Sequence, residues 1–387
     1  MNYPEPKTNR FRALLSSSIK TAIAAGLIYW LIKSGSIRLE FLFVSLDKLP
    51  ALLTGCVILL IGLSISAFRF KELLKGAGAP INTLKCLKIT SIMYFFSQCV
   101  LGPTSGDFAR YYYTVKETEK GTQTGAAIMA DRIIGTMGLF GLSGLGMILN
   151  WSLVESSPEL RSVAVPMLGL LCGLWLSFFL GILSLIKGRY AALYIGIPIL
   201  VSIIVISYTD RASFLAVELT PMLILVSIIS IFAALIAPEF LENGWFYRNL
   251  FNSSKIGSKI GQLVSALLIY RNCPLILLKT VLITAVQHFL LILSLYFFSQ
   301  AQNLPAIPNF HEIFFSAPIA FLAGIIPAPA AGLGVNEAAF ETLLSLVSSG
   351  TVSAGASIYL MMRIWTTLFS LSGIPFILRE NRKRVAS

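Results

Sequence analysis

Charge is what this chain has least of. Only 12% of its 387 residues are Asp, Glu, Lys or Arg, against about 25% in a soluble domain. No polar stretch is long enough to make a separate soluble domain. Histidine is scarcer still. His288 and His311 are the two in the chain, and neither stands near acids or cysteines at metal-ligand spacing, so no metal is expected. The five cysteines (Cys56, Cys86, Cys99, Cys172 and Cys273) are odd in number, hold no C-x-x-C pair and lie in or beside apolar runs. They read as small hydrophobes, not as a disulfide framework. Walker, dinucleotide and nucleophile-elbow signatures are missing too. No cofactor, no ATP-driven step and no enzymatic role is therefore expected of this chain.

What it has in quantity is apolar length. Hydrophobic residues make up 56% and the mean hydropathy is +0.80. Runs near the length a bilayer requires fall at 13–32, 50–68, 133–150, 163–186, 190–208, 215–237, 274–299 and 354–378. The expected fold is an all-α polytopic membrane protein of about eight transmembrane helices, forming a single integral domain over 1–387. The first run follows a basic segment, as in a signal peptide, but it is long for a cleaved one and reads as a first span.

The formal charge is +12, from 30 Lys+Arg against 18 Asp+Glu. A basic chain raises the question of nucleic acid, and the distribution of charge answers it. With the N-terminus in the cytoplasm, the inner segments (1–12, 69–88, 108–132, 187–189, 238–272 and 379–387) hold 22 Lys/Arg and the outer ones hold 5. That is the positive-inside pattern. It predicts both termini in the cytoplasm and basic loops that meet anionic headgroups, with no nucleic-acid partner. Tyr111-Tyr112-Tyr113, Trp151 and Trp245-Phe246-Tyr247-Arg248 flank spans as interface anchors do.

Two further apolar stretches are interrupted. The first broken element, about 87–110, carries Gly102-Pro103-Thr104-Ser105-Gly106-Asp107 with Arg110 behind it. The second, about 313–349, carries Pro327-Ala328-Pro329-Ala330-Ala331-Gly332-Leu333-Gly334-Val335-Asn336-Glu337. Non-helical backbone at membrane depth survives only where protein or a water-filled cavity satisfies it. Broken helices in corresponding positions of two halves point to a transporter's binding site. With eight full spans, the first break enters from the cytoplasmic face and the second from the outer face. Two opposed re-entrant elements are what an inverted-topology repeat produces.

The chemistry-bearing residues gather at these breaks. Asp107 and Arg110 share a helix face and could pair with each other or meet a phosphate. Alternatively Thr104 or Ser105 caps a helix whose dipole favours Asp107. Asp131-Arg132 opens the next span. Arg132 either snorkels to the surface or joins a charge network with Asp107. Gly135, Gly138, Gly141 and Gly144 then recur every third residue, a surface suited to close packing or to a lipid tail. After the second break a helix resumes near Val335, its positive end facing the break as a phosphate or carboxylate site beside Gly332 and Gly334. Glu337 and Glu341 share a face, with Asn336 beside them. Arg363 lies within the last span and needs a partner at that depth, Glu337 or Glu341. Gln287-His288 suits a polar contact between helices.

These two signatures resemble the lysylphosphatidylglycerol synthase transmembrane-domain family. The first is Gly102 to Arg110, followed by Asp131-Arg132. The second is Pro327 to Glu337, similar to the family's Pro-x-Pro-Gly-Gly-x-Gly-x-x-Glu. Thr104-Ser105 and Ala330-Ala331 stand where more glycine would be usual, and 187–250 looks longer than typical. No synthetase domain accompanies the apolar part, so aminoacylation of lipid is not implied. The resemblance implies membrane lipid handling in a bacterial inner membrane, with a polar-headed or phosphate-bearing lipid passed between leaflets. Asp107, Arg110, Arg132, Glu337 and Arg363 would then contact its headgroup. It leaves room for a second reading, a non-transporting partner of a glycosyltransferase or lipid-modifying enzyme.

Overall fold

The computed structural model describes residues 40, 43–99, 103–156, 161, 269–270, 273–324 and 334–385. The expected spans 13–32, 163–186, 190–208 and 215–237, the anchors Trp245 to Arg248, and the break residues Gly102, Pro327, Pro329 and Gly332 lie outside them. All regular structure among the described residues is helical. The helices are α1 (Leu49–Gly76), α2 (Thr83–Cys99), α3 (Pro103–Thr118), α4 (Gly121–Leu149), α5 (Trp151–Ser156), α6 (Pro274–Ala301), α7 (Phe310–Ala323), α8 (Val335–Val347), α9 (Gly355–Ser370) and α10 (Ile374–Val385).

Four described stretches are long and apolar enough to cross a membrane: Leu46–Gly76, Gly121–Leu149, Leu275–Ala301 and Gly355–Arg379. They match the expected spans at 50–68, 133–150, 274–299 and 354–378, but two begin or end elsewhere. α1 does not stop at residue 68. It runs through Arg69, Lys71 and Glu72 to Gly76, because Ser66, Ala67, Arg69, Phe70, Leu73 and Leu74 continue one buried face at helical spacing. Leu53, Val57, Leu60, Ile61 and Phe68 hold the exposed apolar face, as a lipid-facing surface does. α4 begins at Gly121, so Asp131 and Arg132 lie within the helix and do not open it. Arg69 and Arg132, taken above as loop charge, are thus helix residues.

The element order repeats. A long helix, two short helices around a break, and a long helical stretch occur as α1–α2–α3–α4 and again as α6–α7–α8 followed by Gly355–Arg379, which joins α9 to α10. In the first hairpin, the Ser105 hydroxyl donates to the Phe96 carbonyl at 2.7 Å, and Lys85 pairs with Glu117 at the other end. α2 and α3 therefore fold back along one another. Gly106 makes this possible from inside α3, not from the turn. A β-carbon there would overlap Ser97 Oγ and stand 2.7 Å from the Met93 carbonyl.

The chain divides into two compact units, with boundaries inside α1, α2, α3 and α6. The second comprises Gly62–Leu87 and Tyr111–Phe289. Its described core joins Phe70, Leu73 and Leu74 to Ala127, Ile134 and Tyr270. The Tyr270 hydroxyl donates to the Leu73 carbonyl at 2.7 Å, and its ring rests where Gly76 lacks a side chain. The first unit holds Met1–Ile61, Lys88–Arg110 and Leu290–Ser387. There Lys48 Nζ donates to the Gln302 carbonyl at 2.6 Å, and Gln302 Nε2 to the Ser357 carbonyl at 3.1 Å. These bonds tie the approach to α1, the end of α6 and the start of α9. α8 packs closely on α9, since a β-carbon on Gly355 would stand 2.9 Å from Glu341 Cα.

Candidate functional site

The described residues that flank both breaks belong to the first unit, and α9 lies beside them. At the first, Cys99 Sγ lies 3.8 Å from Ser370 Oγ. A β-carbon on Gly373, just beyond α9, would stand 2.6 Å from the Ser91 carbonyl. Arg363 lies seven residues before Ser370, about 10 Å back along the helix, and there α9 meets the second break.

The second break is built around Glu337. Gly334, at φ +87°, turns the chain into α8, a backbone angle that costs a glycine little and other residues more. Glu337 then sits in the first turn, three residues on. Its Oε2 accepts the Gly334 N–H at 2.8 Å, and its Oε1 accepts Arg363 Nη1 at 3.0 Å. The carboxylate side chain is 1% exposed and the guanidinium 12%. The choice between Glu337 and Glu341 is thereby settled. Glu341 serves elsewhere, accepting the Ala356 N–H at the start of α9 at 2.9 Å, where the helix dipole favours a negative charge. Of the expected anion site at the head of α8, the Gly334 N–H is bonded to Glu337, and Gly332 lies outside the described residues.

Asn336 and Tyr359 complete the cluster. Asn336 Nδ2 donates to the Tyr359 hydroxyl at 2.8 Å. Asn336 Oδ1 is buried with no partner among the described residues. Phe321 and Phe340 hold the Tyr359 ring, with centroids at 5.8 and 6.0 Å. Tyr359 carries no charge and was missed in the sequence. Its signal is its place on α9, one turn before Arg363.

At the first break, α3 begins at Pro103, a favoured first helical residue. Thr104 and Ser105 therefore lie inside the first turn and not at the cap. Gly106 and Arg110, one turn apart, are both buried, Arg110 to 2% exposure, and Asp107 is half-buried.

The second unit holds another buried ion pair, and sequence reasoning found half of it. Asp131 Oδ1 accepts Arg69 Nε at 2.6 Å, with both side chains 8% exposed. Arg69 Nη1 also donates to Gln287 Oε1 at 3.0 Å and Thr284 Oγ1 at 3.2 Å. The expected interhelical role of Gln287 is met here. Arg132, next to Asp131, is exposed. Gly138 faces Thr284 and His288, and a β-carbon there would overlap Thr284 Cγ2 and stand 3.1 Å from His288 Nδ1. At that position the glycine run serves helix packing. Arg69 was legible in principle, since it shares the i, i+3, i+4 face of Ser66, Phe70 and Leu73.

The structure thus brings Gly334, Asn336, Glu337, Tyr359 and Arg363 together, and Glu341 with the start of α9. It brings Asp131 to Arg69. Comparison with known proteins adds one match: the family described as lysylphosphatidylglycerol synthase TM region matches residues 17–203. That stretch contains the first break, Asp131 and Arg132, and ends before the second break. No curated protein and no solved structure matches the chain. Over that stretch, just under half of its length, the chain is similar to the lysylphosphatidylglycerol synthase TM region, and its long apolar helices mark a multi-pass membrane protein.

Proposed function

We propose, from that similarity, that this chain passes a polar-headed lipid between the two leaflets of a bacterial inner membrane, without chemical change to the lipid. The observation that carries the proposal is the Glu337–Arg363 pair. It lies buried against a helix start whose glycine breaks the regular backbone, and ionisable groups at membrane depth are kept for function far more often than for stability. A polar headgroup crossing the bilayer requires such a place, since hydrocarbon offers it no hydrogen bonds. The two hairpins act as opposed re-entrant elements, and the apolar helix faces take the acyl chains. The loop charge supports cytoplasmic termini.

The test is leaflet exchange of fluorescent lipids with different headgroups in proteoliposomes, for wild type and Glu337→Gln. Headgroup-selective exchange that Glu337→Gln reduces at least about tenfold is the expected result. Exchange no faster than in empty liposomes, from correctly folded wild type, would sink the reading.

A further inference from the structure

The charges at the second break satisfy each other. Glu337 Oε2 holds the Gly334 N–H and Oε1 holds Arg363. A phosphate entering here would have to displace Glu337 from the helix start and compete with it for Arg363. The unspent hydrogen-bonding capacity lies one residue away. Asn336 Nδ2 donates to the Tyr359 hydroxyl, which leaves Asn336 Oδ1 as a buried acceptor and the phenolic proton of Tyr359 still to be donated. The amide is held in place, because Gly324 has no side chain where Asn336 packs. A β-carbon there would stand 2.7 Å from Nδ2 and 2.8 Å from Oδ1. One acceptor and one donor on a single bonded pair complement an alcohol, which offers one of each. A buried amide oxygen without a partner is costly, and a ligand hydroxyl beside the Tyr359 phenol is one group that would offset the cost.

We infer that Asn336 and Tyr359 read a hydroxyl group on the transported headgroup, so that the site selects polyol- or sugar-bearing lipids and not a bare phosphate. The inference rests on the carrier reading above. The full chain is reconstituted in liposomes carrying acyl-labelled phosphatidylglycerol, phosphatidic acid or a glucosyl diacylglycerol, and leaflet exchange is followed by dithionite quenching. Wild type moves the two hydroxyl-bearing lipids about tenfold or more faster than phosphatidic acid. Asn336→Leu and Tyr359→Phe collapse the ratio between the hydroxyl-bearing lipids and phosphatidic acid toward one, whereas a merely structural loss would slow all three lipids in proportion. Tyr359→Phe removes a single oxygen, so it keeps the test valid if Asn336→Leu does not fold. Equal rates for the three lipids, or a preference that survives both substitutions, overturns the inference and leaves the carrier intact. No exchange of any lipid overturns the carrier reading itself. Uptake of labelled glycerol without lipid exchange would assign the same hydroxyl chemistry to a free polyol and overturn the headgroup.

Discussion

Two buried arginine–carboxylate pairs stand among the described residues, and they are built differently. Arg69 and Asp131 belong to long unbroken helices, α1 and α4. Neutral acceptors from α6 surround the guanidinium, and Gly138 is closed against α6. Arg363 and Glu337 join α9 to α8, a helix that has just restarted. There the carboxylate also holds the backbone of the break, and the neighbouring amide has an acceptor to spare. The first arrangement locks three helices together. The second leaves chemistry for something else to use. A buried ion pair alone therefore does not mark a site, whereas one beside broken backbone and unspent hydrogen bonds does.

The largest effect expected is on the first pair. Arg69→Leu leaves Asp131 buried and unpaired, and should cost about 3–5 kcal/mol of stability. Arg69→Leu with Asp131→Leu should recover most of that loss, since an apolar pair of similar volume often replaces a buried ion pair without penalty. Thermal unfolding of the detergent-solubilised protein reads both. If the double variant stays as unstable as the single one, the pair does more than lock helices, and the contrast fails. Next comes Glu337→Gln, where the amide can still accept the Gly334 N–H. It should cost under about 3 kcal/mol, the range for losing a charged hydrogen bond, while lipid exchange falls. Activity lost at preserved folding is the signature of the second pair, and activity lost in step with folding is that of the first.

Gly334→Ala tests the break itself. At φ +87° an L side chain should cost about 1–2 kcal/mol and disturb the Glu337 cap. Gly138→Ala, tested against it, should cost about 1–3 kcal/mol by overpacking in thermal unfolding and leave the headgroup preference of any surviving activity unchanged. A shifted preference in Gly138→Ala would mean that the locked region also reads the lipid.

The breaks were legible because they violate the local rule of an apolar helix. Glycine, proline and a carboxylate have no business in a lipid-facing run unless protein or water receives them. That Arg363 needs a carboxylate followed from the cost of a lone arginine at depth, with Glu337 and Glu341 both eligible until the structure joined it to Glu337. Arg69 was lost for the opposite reason. Charge at the end of an apolar run looks like the edge of the membrane, and Arg69-Phe70-Lys71-Glu72 reads as a loop unless the buried stripe through Leu73 and Leu74 is followed. Asp131 was noticed, but its partner 62 positions away obeys no sequence spacing. The bond between Asn336 and Tyr359 was out of reach, because it depends on where α8 lands on α9. Gly106 is a packing residue, closed against Ser97 and the Met93 carbonyl, since glycine serves turns and close packing alike and only a neighbour decides between them.

The smallest effect expected serves as the control. Lys85 pairs with Glu117, and their side chains are 56% and 30% exposed. Water or headgroups can replace either partner there, and fixing two long side chains costs entropy. Lys85→Ala should therefore change stability by no more than about 1 kcal/mol, and the difference should shrink further in high salt. Thermal unfolding at low and high ionic strength measures it. A cost near that of Arg69→Leu would mean that this end of the α2–α3 hairpin is as dry as the interior. The two buried pairs would then lose their special standing, because their weight in this comparison comes from what surrounds them and not from the charges they share with Lys85 and Glu117.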